Sequence, residues 1–219
     1  MENVTDRTSN PFGMQPPCDR PCSSNGPEAV FGFGDANADF HVIGDHPGVH
    51  GGAATGVPFT DSTAGRRLQT VLREVGLLAD ADDGTLDPSN AFLSYLHMCC
   101  PAGESPSEDD YAQLEPFFDA ELRAIAAHVL VPVGERATRH VLQNYSARPA
   151  RSTLDMRDLH ADEVRGSGFL IVPVRDPAEW TDTDDERLVA RLQAMLAGDY
   201  RQTTDLSRFL ADDELYMVR

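Results

Sequence analysis

Residues 44–60 read Gly44-Asp45-His46-Pro47-Gly48-Val49-His50-Gly51-Gly52-Ala53-Ala54-Thr55-Gly56-Val57-Pro58-Phe59-Thr60. The stretch places glycines, prolines and two histidines directly behind a short β-forming run, Asp39-Phe40-His41-Val42-Ile43. Beyond it, Leu68, Val71, Leu72, Val75 and Leu78 recur at helical spacing. A strand therefore ends at Gly44, and a long loop leads to a helix starting near Thr63. In an open α/β sheet, ligands bind in the loops that follow the carboxyl ends of strands. The loop reads as a site and not as a connector.

The alternation continues along the chain. Ala91 to Leu96 is followed by the helical pattern Glu108 to Ala127, His128 to Val133 by Arg136 to Tyr145, and Gly168 to Val174 by Asp184 to Ala197. With the first pair, these imply a parallel sheet covered by helices on both faces. Right-handed crossovers make that a three-layer α/β/α sandwich with a central four-stranded parallel sheet. Residues 1–17 lack periodicity and are expected to be flexible, residues 18–198 to form the domain, and residues 199–219 to be a C-terminal extension with a last helix around Thr204 to Leu210. The stretch from Ser146 to Arg165 has no clear period and reads as a connecting excursion.

A chain of 219 residues has room for one domain with a substantial core. All 18 basic residues are arginine, and 36 carboxylates leave a formal charge of -18. That is the profile of a halophilic protein, whose self-repulsion is screened in molar salt, where the Debye length is about 3 Å. Disorder, the other reading of so acidic a chain, is opposed by 41% hydrophobic residues in periodic segments. No apolar run approaches a membrane span and the first residues lack a signal-peptide pattern, so a cytoplasmic protein is expected. It is also expected to be a monomer. The acidic runs at Glu108 to Asp110, Asp182 to Glu186 and Asp212 to Glu214 read as solvated surface and helix N-termini.

The loop wording resembles the uracil-DNA glycosylase superfamily. Gly44-Asp45-His46-Pro47-Gly48 and Gly56-Val57-Pro58-Phe59 resemble the iron-sulfur class, family four. Pro47, His50, Gly51, Gly52, Thr55, Gly56, Phe59 and Thr60 match family five in spacing. Upstream, Val30-Phe31-Gly32-Phe33-Gly34 and Ala38-Asp39 resemble the superfamily's lead-in to its first strand. The resemblance implies a protein that hydrolyses the glycosidic bond of uracil, or a related deaminated base, in DNA. It makes Phe59 the residue that stacks the base, places Asp45 and His46 at the water-handling positions, and gives His50 a part in shaping the pocket. Gly48, Gly51 and Gly52 would let the backbone approach the substrate. At -18, such a protein would hold DNA through short-range hydrogen bonds, stacking and arginine contacts.

The chain departs from the superfamily in two places. Tyr95 stands where family four has the asparagine that reads the uracil edge, and Asp176 stands where the superfamily has a histidine that donates to the departing base. A phenol offers one hydroxyl where an amide offers donor and acceptor. A carboxylate would repel a base anion, although adjacent Arg175 offers positive charge. A catalytically inactive protein that binds DNA or a small pyrimidine is therefore the second reading. Trp180 follows where the superfamily carries an apolar wedge, with core packing as the alternative. The resemblance also implies a 4Fe-4S cluster on Cys18, Cys22 and Cys99, with Cys100 as substitute for a ligand that falls near Leu114 and Glu115. Zinc or free thiols are the alternatives, and disulfides are not expected in a reducing cytosol.

Overall fold

A computed structural model describes residues 8–207 except 25, 82–84, 102, 104, 147–153 and 182. The strands are β1 (Thr8–Ser9), β2 (Phe33–Gly34), β3 (Phe40–Gly44), β4 (Leu78–Asp80), β5 (Leu86–Pro88), β6 (Ala91–Tyr95), β7 (Val129–Pro132), β8 (Val164–Arg165) and β9 (Leu170–Ile171). The helices are α1 (Pro47–His50), α2 (Thr63–Glu74), α3 (Glu108–Ile125), α4 (Glu135–Tyr145), α5 (Met156–Leu159), α6 (Asp184–Ala197) and α7 (Tyr200–Ser207), with a 3-10 turn at Pro177–Glu179.

The order β1-β2-β6-β3-β7-β9-β8 defines one seven-stranded sheet, and β4 pairs with β5 in a separate hairpin. Strands β6, β3, β7 and β9 are mutually parallel in the middle of this sheet, as the expected α/β class requires, while the whole sheet has seven strands. The strands added at the edges, β2 beside β6 and β8 beside β9, run antiparallel. The edge strands are two residues long, too short to show a period in the sequence.

The core divides by the alternation of side chains along each strand. Phe40 and Val42 of β3, Leu93 of β6 and Val131 of β7 face α2 and α6, where they meet Leu68, Leu72, Leu188 and Leu192. Ile43, Phe92 and Leu130 point the other way and pack with Phe118 and Leu122 of α3 and Val141 of α4. Both faces of β3 and β6 are buried throughout, as in a sheet covered on both sides. Helix α3 starts with a capping box, in which Ser107 and Asp110 satisfy each other's backbone amides. The acidic run Glu108 to Asp110 fills that first turn, as its sequence implies.

Both expected chain ends need correction. Residues 8–17 are not a loose lead: β1 pairs with β2, and Phe12 and Met14 pack against the core. The last helix begins at Tyr200, not near Thr204, because Tyr200 and Arg201 both hydrogen-bond the buried Asp39 carboxylate. Burial alone would raise the Asp39 carboxyl, but hydrogen bonds from Arg201, Tyr200 and Asn90 outweigh it and hold it below its usual range. Residues 1–7 and 208–219, with the acidic run at Asp212 to Glu214, lie outside the described residues. Among the described residues no helix is long and apolar enough to cross a membrane.

Candidate active site

The first strand in the parallel set, β3, has β6 on one side and β7 on the other, so the strand order reverses at its carboxyl end. Such a reversal opens a crevice above the sheet. A cleft of about 690 Å³ lies there, lined by Asp45 and His50 after β3, Tyr111 of α3, Gly134 and Arg136 at the start of α4, and Asp176 after β9. With Leu96 after β6, five separate stretches of sequence converge on one hollow.

The loop 44–60 is closed by its own contacts. His46 caps α1, its Nδ1 accepting from the Gly48 amide at 3.1 Å, and Pro47 opens the first turn. Gly51 has φ +95, and a side chain there would collide with the Thr60 carbonyl. Gly52, at φ +93, donates its amide to the same carbonyl at 2.7 Å. A β-carbon on Gly48 would stand 2.9 Å from the His46 ring. The close approaches of Gly48, Gly51 and Gly52 are therefore made within the loop, where the sequence suggested an approach to substrate.

Tyr95 is the fastener. Its hydroxyl accepts from the Phe59 amide at 2.7 Å and donates to the Gly51 carbonyl at 2.9 Å. Buried to 1% exposure, it does not line the cleft, so its hydroxyl locks the loop and does not face a base edge. Burial also pushes its phenol far above the usual range, so it stays a donor. Phe59 is equally enclosed at 1% exposure, with the His50 ring stacked 5.6 Å away at 29° and Tyr95 at 5.2 Å. Its expected stacking face is covered by His50 in this conformation.

Asp45 does face the cleft, and its carboxylate accepts a short hydrogen bond from the Tyr111 hydroxyl. Burial and that carboxylate both push the Tyr111 phenol upward, keeping it protonated. Arg136 lies 4.0 Å over the Tyr111 ring and pairs with Glu108 at 2.5 Å. Sequence reasoning missed both Tyr111 and Arg136. Their cleft-facing position depends on how α3 and α4 are rotated against the sheet, and no local spacing encodes that. His46 is not among the cleft-lining residues, because its ring is turned in to cap α1. Burial lowers its pKa, with the Asp45 charge opposing.

His50 is held from several sides. Its Nδ1 accepts from the Asp45 amide at 3.1 Å, its ring stacks on Phe59, and a β-carbon on Gly134 would stand 3.6 Å from it. Burial lowers its pKa to about 4, so the ring is neutral near pH 7. Asp176 caps the 3-10 turn by accepting from the Ala178 amide at 2.8 Å, and its other oxygen stands 3.8 Å from His50 Nε2.

Arg175 is not at the cleft. Its guanidinium pairs with Asp184 at 3.2 Å and Glu179 at 3.3 Å, so its charge is answered on the other side of the turn. Trp180 is 6% exposed, donates to the Arg175 carbonyl at 2.7 Å, and lies under Arg67. Of its two readings, core packing holds and an exposed wedge does not.

The four cysteines come together as two disulfides, Cys18–Cys99 and Cys22–Cys100, against the expectation that they would stay unpaired. The crossed pairing of neighbouring residues 99 and 100 ties the 18–22 segment to the end of β6. Leu114, where the resemblance puts a fourth cluster ligand, packs beside Cys99. Among the described residues no group of three or more histidines, cysteines or carboxylates is arranged to hold a metal ion.

Known proteins resemble this chain in sequence. Residues 31–195 match the profile of the uracil DNA glycosylase superfamily. A type-5 uracil-DNA glycosylase of Pyrobaculum aerophilum is 29% identical over 151 residues, which cover 67% of this chain and 64% of that protein. Those of Mycobacterium leprae and Thermus thermophilus are each 29% identical, over 52% and 54% of this chain and 52% and 56% of their own lengths. The chain thus spans between half and two thirds of these relatives. The profile runs from the lead-in before β3 into the last turn of α6 and takes in every strand that carries the cleft, so the chain belongs to the uracil-DNA glycosylase superfamily.

Proposed function

We propose that the protein is a uracil-DNA glycosylase that hydrolyses the bond between uracil, or a related deaminated base, and deoxyribose in DNA. The observation that carries this reading is the convergence of Asp45, His50 and Asp176 on the cleft at the carboxyl end of β3 in a chain of this superfamily. Asp45, oriented by Tyr111, holds the attacking water and takes its proton. His46 supports it by fixing the turn of α1. Asp176 faces the departing base. The base enters the cleft beside His50, and Phe59 backs the His50 ring from behind. The acidic, lysine-free surface suits a salt-rich cytoplasm, and the DNA contacts are made by short-range groups of the cleft.

The four cysteines match a 4Fe-4S cluster in donor type and number when reduced, and Cys18, Cys22, Cys99 and Cys100 would hold it. Its part would be structural, tying the N-terminal segment to β6. Anaerobic purification with iron and sulfide counts distinguishes it from the disulfides.

One observation favours the second reading, a non-catalytic pyrimidine- or DNA-binding protein: Phe59 and Tyr95 are both sealed in the core. The deciding experiment incubates the protein with single- and double-stranded uracil DNA in molar potassium chloride and cleaves the abasic product with alkali. Strand scission is expected. Uracil-dependent binding without scission would establish the second reading.

A further inference from the structure

We infer that His50 is the catalytic hydrogen-bond donor to the departing base, performing from the first loop the task for which position 176 carries no donor. The inference rests on the glycosylase reading above. The hydrogen bond made by the ring's inner nitrogen fixes its tautomer. The Asp45 amide can only donate, so His50 Nδ1, which accepts from it at 3.1 Å, carries no proton. The single proton of a neutral imidazole is then on Nε2. That nitrogen is buried and, among the described residues, has no hydrogen-bond partner. Its nearest carboxylate oxygen, on Asp176, is 3.8 Å away, beyond hydrogen-bonding reach. A buried donor without an acceptor is costly, about 1–3 kcal/mol, and uncommon enough to require a reason.

The reason lies in what surrounds it. His50 lines the cleft, and its ring is clamped by Phe59, Tyr95 and the glycine that opens α4, so Nε2–H points in one fixed direction. Burial keeps the ring neutral near pH 7. A fixed, neutral donor aimed into a cleft is suited to a charge that appears only as the bond breaks. When the bond between the sugar carbon and N1 breaks, its electron pair leaves with the base and spreads onto the carbonyl oxygens. Nε2–H donates a hydrogen bond to one of these oxygens without giving up its proton. Water adds to the sugar carbon, its proton passes to Asp45, and the base anion is protonated by solvent on release.

The test uses the full chain and single-turnover excision of two bases from single-stranded DNA in molar potassium chloride, uracil and 5-fluorouracil. Fluorine stabilises the departing anion, so 5-fluorouracil depends less on a donor. His50→Asn keeps an acceptor near Nδ1 for the Asp45 amide and deletes the donor at the Nε2 position. His50→Gln keeps an N–H near Nε2. The expected result is a loss of about 100-fold on uracil for His50→Asn, by analogy with removal of an oxyanion donor. The loss on 5-fluorouracil should be clearly smaller, and His50→Gln should retain more uracil activity than His50→Asn. An equal loss on both bases would mean that His50 only shapes the loop, and the proposal falls while the glycosylase reading stands. A wild type that excises neither base overturns both. Should His50→Asn fail to fold, His50→Phe, which also lacks the donor, is judged by the same criterion.

Discussion

The hydroxyl of Tyr95 and the backbone amide of Phe59 are joined by a 2.7 Å hydrogen bond between residues 36 positions apart in the chain. It anchors the site loop to the end of β6. Tyr95→Phe keeps the buried ring but leaves the Phe59 amide and the Gly51 carbonyl without this partner. The expected cost is about 2–4 kcal/mol. For a chain of this size that lowers the melting temperature by roughly 5–15 °C. Calorimetry checks it, and a change under 2 °C would show that the loop does not depend on this contact.

Asp176 lies beside the position assigned to the departing base. Asp176→Asn should preserve the cap on Ala178, because Asn and Asp serve equally as caps, while removing negative charge. We expect uracil excision to rise by about tenfold, which corresponds to about 1.4 kcal/mol of barrier. Single-turnover rates at pH 7 measure it. A fall in rate would mean that the carboxylate itself contributes to the chemistry.

Asp45 and His46 are adjacent, but only Asp45 lines the cleft. Asp45→Asn should reduce excision by roughly 100-fold or more, within the range for a general base. His46→Ala should reduce it less and lower thermal stability, since its ring caps α1. Paired rate and melting measurements separate the roles. The reverse order of rate losses would move the water site to His46.

Beneath the sheet, Glu121 is buried to 2% exposure, and its carboxyl bonds with Ser94 and the Gly32 backbone. Burial raises its pKa to about 8, against 4.5 for the ordinary value. The folded state therefore holds a proton that the unfolded chain has released between these two values. This group costs nothing below pH 4.5, destabilises increasingly as pH rises to about 8, and adds no further cost above that. Glu121→Gln should raise the melting temperature by several degrees at pH 8 and change it little at pH 5. A gain equal at both pH values would show that Glu121 does not titrate this way.

Much of the fold was legible because helix and strand periods are local properties. The strand ending at Gly44, the helix opening at Thr63 and the helix at Asp184–Ala197 all stand where the apolar spacing puts them. The short edge strands and the hairpin were not legible, since two or three residues carry no period and pair only because a neighbour offers an edge. Arg175 marks a different limit. Its charge looked available in sequence, yet Asp184, on another element, already answers it.

By itself the sequence determined the layered α/β architecture, the family of its site loop and the presence of Asp45, His50 and Asp176 as chemical groups. Only the tertiary structure decided which of those groups remain available. Tyr95 and Phe59 are closed off by each other and His46 by its own turn, while His50 keeps a donor directed into the cleft. The physical reason is that a polar atom's availability depends on what folding brings within about 3 Å of it. Here Tyr95 reaches its partners Phe59 and Gly51 from β6, more than thirty residues along the chain.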